Sequence, residues 1–196
     1  MTARDSDRFR SDALARLAAA GEAAARAAEV EVALSILAGA AMELLGDAAA
    51  HLRPGALKVG EQQFRIAGVF LVLPDATGHI LVAEHGFPAE QHRLRIPIDV
   101  GHPGRVYLDQ KPLILANTDD HTDFKQILKT ARMGSALYAP IFDGDEMVGQ
   151  LITAAQARDT FSAIDLEVLR SFAALASLAY VARDGAGFLE GVAEES

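Results

Sequence analysis

Residues 135–155, SALYAPIFDGDEMVGQLITAA, constrain the fold more than any other part of the chain. Two apolar runs flank Phe142-Asp-Gly-Asp145, which places Asp-Gly at the two central turn positions. That pair tolerates the positive φ angles of a tight hairpin turn, so the segment reads as two antiparallel strands. A helix start follows at Phe161–Leu169, FSAIDLEVL. Ser162 is placed as a cap, Asp165 as its capping-box partner three residues on, and Phe161 and Leu166 as a hydrophobic staple. Ile164, Val168, Phe172, Leu175 and Ala179 then line one helical face. Pro140 carries a condition of its own. Lacking an N–H, it suits a strand only at a bulge or on an unpaired edge.

Upstream, apolar spacing predicts helix from about Ser11 to Ala50, in two phases. Leu14, Leu17, Gly21, Ala24 and Ala28 form a thin first stripe, and Val30, Leu34, Leu37, Ala41 and Leu44 a fuller second one. Residues 1–11 are polar and read as frayed. A Pro/Gly-containing connector spans His51–Gln63. Strands are expected at Phe64–Leu73, His79–His85, Leu94–Ile98 and Pro112–Ala116, with a turn at Pro74–Gly78. A short helix carrying Val106 and Leu108 follows Gly101, and another is expected at Phe124–Met133 after a polar loop at Asn117–Asp123. From residue 184 on, the chain is Gly-rich and acidic and reads as a flexible tail.

The bulk properties narrow the function. At 196 residues, 51% of them hydrophobic, the chain is sized for one domain with extensions. A net charge of −9 disfavours a phosphate backbone as partner, so no nucleic acid is expected. The sequence contains no cysteine, which excludes disulfides, thiolate metal sites and cysteine nucleophiles. The charged start, MTARDSDRFRSD, is not a signal peptide, and the longest apolar run, Phe172–Ala182, is too short to span a bilayer. A cytoplasmic protein with no membrane association is the expectation.

The element order, together with particular residues, resembles the GAF domain family. GVFLVLPDATGHILVAEHG (Gly68–Gly86) is similar to the family's first hairpin. IPIDVGHPGRVYLDQKPLIL (Ile96–Leu115) resembles its glycine-flanked turn, small helix and return to a strand. The 135–155 hairpin, with Pro140 and Gly149, resembles its central hairpin, and FSAIDLEVLRSFAALASLAYVA its closing helix. The resemblance implies an α+β fold: a central antiparallel sheet with the terminal helices on one face and short helices and loops over a ligand-holding face. The expected division is an N-terminal helical extension at 1–29, a GAF domain at 30–183 and a flexible acidic tail at 184–196.

The family holds cyclic nucleotides, bilins, haem, small acids or free methionine sulfoxide. Without cysteine, neither covalent bilin attachment nor the cysteine-dependent reduction of methionine sulfoxide is available to this chain. Asn117, Asp120 and Phe124 resemble only loosely the cyclic-nucleotide signature. No histidine pair has metal-ligand spacing, so no metal is expected, and haem is disfavoured. On strand alternation alone, His79 and His85 point to the same side.

The candidate ligand-binding residues are Arg105, Tyr107, Asp119, Asp120, Phe124, Ile127 and Tyr138. Arg105 is the cation nearest the implied cavity and the first candidate for an anionic ligand, though a solvated arginine is the simpler explanation. Tyr107 and Tyr138 pair an apolar body with a hydroxyl, suited to a cavity wall or to the edge of a core. Asp119 and Asp120 sit at a helix start, where carboxylates satisfy free N–H groups, and also border the 117–127 segment that the resemblance places along the cavity.

No nucleophile elbow, phosphate-cradling loop or paired-carboxylate arrangement supports catalysis. Two functions remain in view. One is a non-catalytic small-molecule sensor that signals through a dimer or a separate output partner. The other is a dimerisation or protein-interaction module with a vestigial cavity, its homodimer formed by the Leu14–Leu45 and Ile164–Val181 helices.

Overall fold

The computed structural model describes residues 6–120 and 133–194. Eleven principal elements follow one another: α1 (Ser6–Arg26), α2 (Val30–Leu44), β1 (Arg65–Val72), β2 (Gly78–His85), β3 (Arg95–Pro97), α3 (Gly101–Asp109), β4 (Leu113–Leu115), β5 (Ser135–Asp143), β6 (Glu146–Ala155), α4 (Ala163–Ala182) and α5 (Gly185–Glu194). The strands form one sheet in the order β3-β2-β1-β6-β5-β4. Every neighbouring pair is antiparallel. This is the α+β arrangement the sequence implies.

Strand alternation divides the sheet between two cores. Ala67, Val69, Leu71, Ile80, Leu137, Ala139 and Leu151 face α2 and α4, where they meet Leu34, Leu37, Leu169 and Phe172. Each such large side chain, fully buried, contributes about 1.5–3 kcal/mol. Helix α1 rides on α2 and α4 as an outer layer. Ile66, Phe70, Ala136, Tyr138, Ile152 and Ala154 face the other way, into a second core with Val106 of α3.

Several local expectations hold in detail. Asp165 Oδ2 accepts the Ser162 N–H at 2.9 Å, closing the capping box, while its Oδ1 accepts the Gly46 N–H at 2.8 Å. The Asp-Gly hairpin forms, shifted by one residue. Asp143 pairs with Glu146, so the central positions are Gly144 and Asp145, and Gly144 takes the positive φ of 57°. Glycine at the first central position with positive φ there alone matches a type II′ turn. Pro140 meets its condition: β4 pairs with β5 only as far as Tyr138, so Pro140 lies beyond the strand that would need its N–H. Two residues on, the Phe142 N–H donates to Ser177 Oγ of α4 at 3.0 Å, which closes that stretch of edge against further strands.

Three expectations need correction. The two helical phases expected within 11–50 form as separate helices, but α1 begins earlier, at Ser6, and α2 ends at Leu44, short of Ala50. The buried stripe of α1 is Phe9, Ala13, Ala20 and Ala24, whereas Leu14 is 70% exposed. Ala13, Ala20 and Ala24 join the core with Phe9, and Leu17 packs against it, whereas Leu14 points away. The segment from residue 184, read as a loose tail, contains helix α5, which buries Leu189 and Val192 and accepts a hydrogen bond from Arg95 Nη2 at the Ala193 carbonyl (3.0 Å). Finally, His79 and His85 face opposite sides. Between Val69 and Phe70 the β1–β2 register slips, leaving Val82 as an extra residue on β2. This bulge reverses the alternation, so His85 meets Ser35 of α2 (Nε2 to the carbonyl oxygen, 2.8 Å) while His79 packs edge-on against Tyr107 of α3 (5.8 Å between centroids).

Among the described residues, no helix is long and apolar enough to cross a membrane.

Candidate functional site

The sheet face under α3 is largely hydrocarbon, with a few polar side chains set into it. Gln150 of β6 pairs in register with Phe70, which puts it on this face, and there it is fully buried. Its Nε2 donates to the Pro103 carbonyl of α3 at 3.2 Å, whereas Oε1 has no hydrogen-bond partner among the described residues. His79 of β2 is also fully buried, and neither ring nitrogen has a partner in hydrogen-bond geometry, although the Ile98 backbone comes near the ring. Burial pulls its pKa down to about 4, so the imidazole is neutral at pH 7.

Both side chains contact α3, Gln150 through the Pro103 carbonyl and His79 through the Tyr107 ring. Pro103 and Tyr107 are four residues apart, one helical turn, so the contacts they make with Gln150 and His79 are offset by roughly 6 Å along the helix. Beside them the His102 and Tyr138 rings stack at 6.4 Å with an interplanar angle of 29°. Burial raises the Tyr138 pKa and keeps its hydroxyl protonated. Ala136 and Ala154 pair across β5 and β6 and give part of this face a floor of small side chains.

The sequence-predicted residues fall into distinct environments. Tyr138 is buried in this face, as above. Tyr107 touches His79 on its inner side and also borders an outer groove with Val72, Met147 and Tyr180. Arg105 is exposed and pairs with Asp109 one turn along α3, at 3.4 Å. Asp120 is exposed at the end of the 3₁₀ turn Thr118–Asp120. Phe124, Ile127 and the expected helix at 124–133 lie outside the described residues, apart from Met133, which is buried in the core beneath α3.

Asp119 belongs to a charged cluster at the margin. Its carboxylate accepts from Arg158 Nε at 3.0 Å and pairs with Lys58 Nζ at 2.7 Å. Arg158 also grips Glu61 through both terminal nitrogens, with Nη2 to Oε1 at 3.0 Å. The Lys58 and Arg158 contacts hold the Asp119 carboxyl below the usual carboxylate range. Burial pushes Glu61 upward, but the Arg158 hydrogen bond and the Lys58 N–H outweigh it, and Glu61 also titrates low. The cluster fastens the 118–120 turn to the 58–61 connector. The same turn is held from the other side by Thr118, whose N–H donates to the Gly134 carbonyl at 2.9 Å.

The residues missed from sequence are Gln150, His79 and His102. Gln150 left a signal: an amide in the middle of the apolar strand VGQLIT is a polar group committed to burial. His79 left none, because its facing depends on the bulge. Among the described residues no group of three or more His, Asp or Glu side chains is placed to hold a metal ion.

A six-stranded antiparallel sheet with helices packed on one face and a small helix over the other defines a class of α+β modules. Within that class, the family model for the GAF domain matches residues 55–180, and the chain belongs to the GAF domain family. The solved structures it resembles include the GAF domain of a phosphoenolpyruvate-protein phosphotransferase from Acinetobacter, at 16% identity and TM-score 0.70, covering 88% of this chain and 94% of that one. A free methionine-R-sulfoxide reductase from Neisseria meningitidis in complex with its substrate is similar at 17% identity and TM-score 0.71, with coverage of 95% and 96%. Residues 122 to 287 of a methyl-accepting chemotaxis protein are similar at 18% identity and TM-score 0.62, with coverage of 84% and 96%. At these identities the likeness concerns the fold alone. No curated protein matches the sequence.

Proposed function

We propose that this chain is a small-molecule-sensing GAF domain without catalytic activity, which passes its signal through a dimer or a separate output partner. The observation that carries this reading is the Gln150 carboxamide oxygen under α3, fully buried and without a hydrogen-bond partner. Folded proteins rarely leave buried polar atoms unsatisfied, since each one costs about 1–3 kcal/mol. A bound molecule that supplies the missing hydrogen bonds would recover that cost. The reductase of the same fold, solved with its substrate, is a precedent for a small molecule held by this architecture. A non-catalytic role agrees with the absence of cysteine from the sequence. Native mass spectrometry of protein purified without dialysis tests the reading. A retained small molecule is expected, and an apo mass throughout, together with no binding from a metabolite extract, would contradict it.

A second reading, a dimerisation module with an unused cavity, draws on one observation. Leu178 and Val181 of α4 are 67% and 53% exposed, and Leu14 of α1 is 70% exposed, so the helical layer presents unpartnered apolar side chains. Light scattering at tens of micromolar decides it: a monomer removes the homodimer from either reading.

A further inference from the structure

We propose that the groove between the β5–β6 turn, the β1–β2 turn and helix α5 binds a flexible aliphatic polyamine. The inference goes beyond the sensing role above and does not depend on Gln150.

The groove has a volume of about 460 Å³. Its rim carries Asp143, Asp145 and Glu146 from the β5–β6 turn and Glu190 from α5, all four exposed. Among the described residues none of these carboxylates takes part in an ion pair, and no lysine, arginine or histidine lines the groove. Tyr180 is the second observation. It is 3% exposed, yet it borders the groove, and its hydroxyl has no hydrogen-bond partner among the described residues. Burial raises its pKa, and the Asp143, Glu146 and Asp184 carboxylates raise it further, so the hydroxyl lies toward the acidic rim and stays protonated. Its oxygen is then a free acceptor, and an ammonium group is a donor that the surrounding carboxylates also attract.

The spread of charge selects the shape of the cation. Among the described residues no group of three or more His, Asp or Glu side chains is placed to hold a metal ion. The rim carboxylates sit instead on two different elements and share the groove with the apolar Leu73, Met147 and Leu189. A compact cation engages one of those elements at a time. Ammonium groups joined by methylenes engage both, and the methylenes cover the apolar wall, as the stem of a lysine does on a protein surface. Every lining residue belongs to the described structure. Gly134, whose N–H donates to the Ala155 carbonyl and whose carbonyl accepts from Thr118, marks where residues 121–132 are flanked. The nine residues of β5 separate that place from the groove, a span of roughly 27 Å.

Two triply charged cations separate the cases: spermidine, with its charge spread along a chain, and hexaamminecobalt(III), with its charge at a point. Calorimetric titration of the full chain at low salt, where exposed charges are least screened, is expected to show spermidine binding at least about tenfold more tightly than hexaamminecobalt(III). Asp143→Asn combined with Glu190→Gln is expected to weaken spermidine, by up to about fivefold for each exposed ion pair removed. Asp12→Asn combined with Glu90→Gln removes the same net charge from exposed positions outside the groove and is expected to leave the affinity unchanged. The chain has three tyrosines and no tryptophan, so an ultraviolet difference spectrum reports on the tyrosines alone. Spermidine is expected to perturb that spectrum, and Tyr180→Phe to reduce the perturbation. Hexaamminecobalt(III) binding as tightly as spermidine overturns the proposal, as does equal weakening by the two double variants. No binding of spermidine, or a spectral change that Tyr180→Phe leaves intact, overturns it as well.

Discussion

At the residue scale, His79 has the strongest consequence. Its pKa falls from 6.5 in the unfolded chain to about 4 in the fold. The unfolded state therefore binds more protons between those values, and stability declines as pH falls from about 6.5 to about 4. By linkage this single group accounts for up to about 3 kcal/mol of that loss. His79→Phe should flatten the urea-denaturation stability profile across this window relative to the natural protein. An unchanged slope would mean that His79 is solvated or partnered. Arg158 is the second such residue. Replacement by Met removes the guanidinium that Glu61 and Asp119 share, leaving Lys58 paired with Asp119. Both carboxylates retain about a fifth to a quarter of their exposure, which places the expected loss near the lower end for a buried pair, about 2–3 kcal/mol by denaturation.

At the scale of elements, sequence legibility tracked how local the determining physics is. The capping box at Ser162–Asp165 and the hairpin at 135–155 were readable because both depend on residues within a few positions of each other. Even there the turn settled one residue along, since cross-strand register, not the Asp-Gly pair alone, fixes which residues close it. The facing of His79 was not readable. It depends on one extra residue in β2, and a bulge leaves no mark on apolar alternation when both of its residues, here Val82 and Ala83, are apolar. The α1 stripe is legible in part: Leu17 and Ala24 face the core, while Leu14 points outward and Phe9, Ala13 and Ala20 complete the buried face. Of the candidate site, Tyr138 and Tyr107 were legible as amphipathic residues on the right elements, while the pairing of Asp119 with Arg158 joins residues 39 positions apart and no local pattern foretells it.

Helix α5 yields a test at the same scale. A Cβ at Gly185 would lie 2.2 Å from the Tyr180 ring, so this position joins α4 to α5 by tight contact. Gly185→Val should lift α5 from its seat, exposing Leu189 and Val192, at a cost of about 1–3 kcal/mol. Hydrogen exchange should show lost protection at 185–194 with α4 largely unaffected. Retained protection in α5 would show that its docking does not depend on this contact.

For the whole molecule, the sheet separates two different cores. The helix side is closed by hydrocarbon from α2 and α4, with α1 laid over them and Arg183 donating to the carbonyls of Ala24, Ala25 and Ala27 at the end of α1. Among the described residues the opposite side is covered by the short α3 and loops, and the buried Gln150 Oε1 lies there without a hydrogen-bond partner. The two sides thus differ in how the described elements cover them, long helices on one and a short helix on the other. That asymmetry ties the fold to the proposed function, because a change beneath α3 acts on the same strands, β5 and β6, that carry α4 on their reverse.

The most direct test is a high-resolution crystal structure of protein purified without dialysis, inspected beneath α3. The account predicts density for a non-protein molecule within hydrogen-bond distance of Gln150 Oε1 and of a ring nitrogen of His79. Finding both atoms hydrogen-bonded to the protein's own side chains in a solidly filled interior would contradict it.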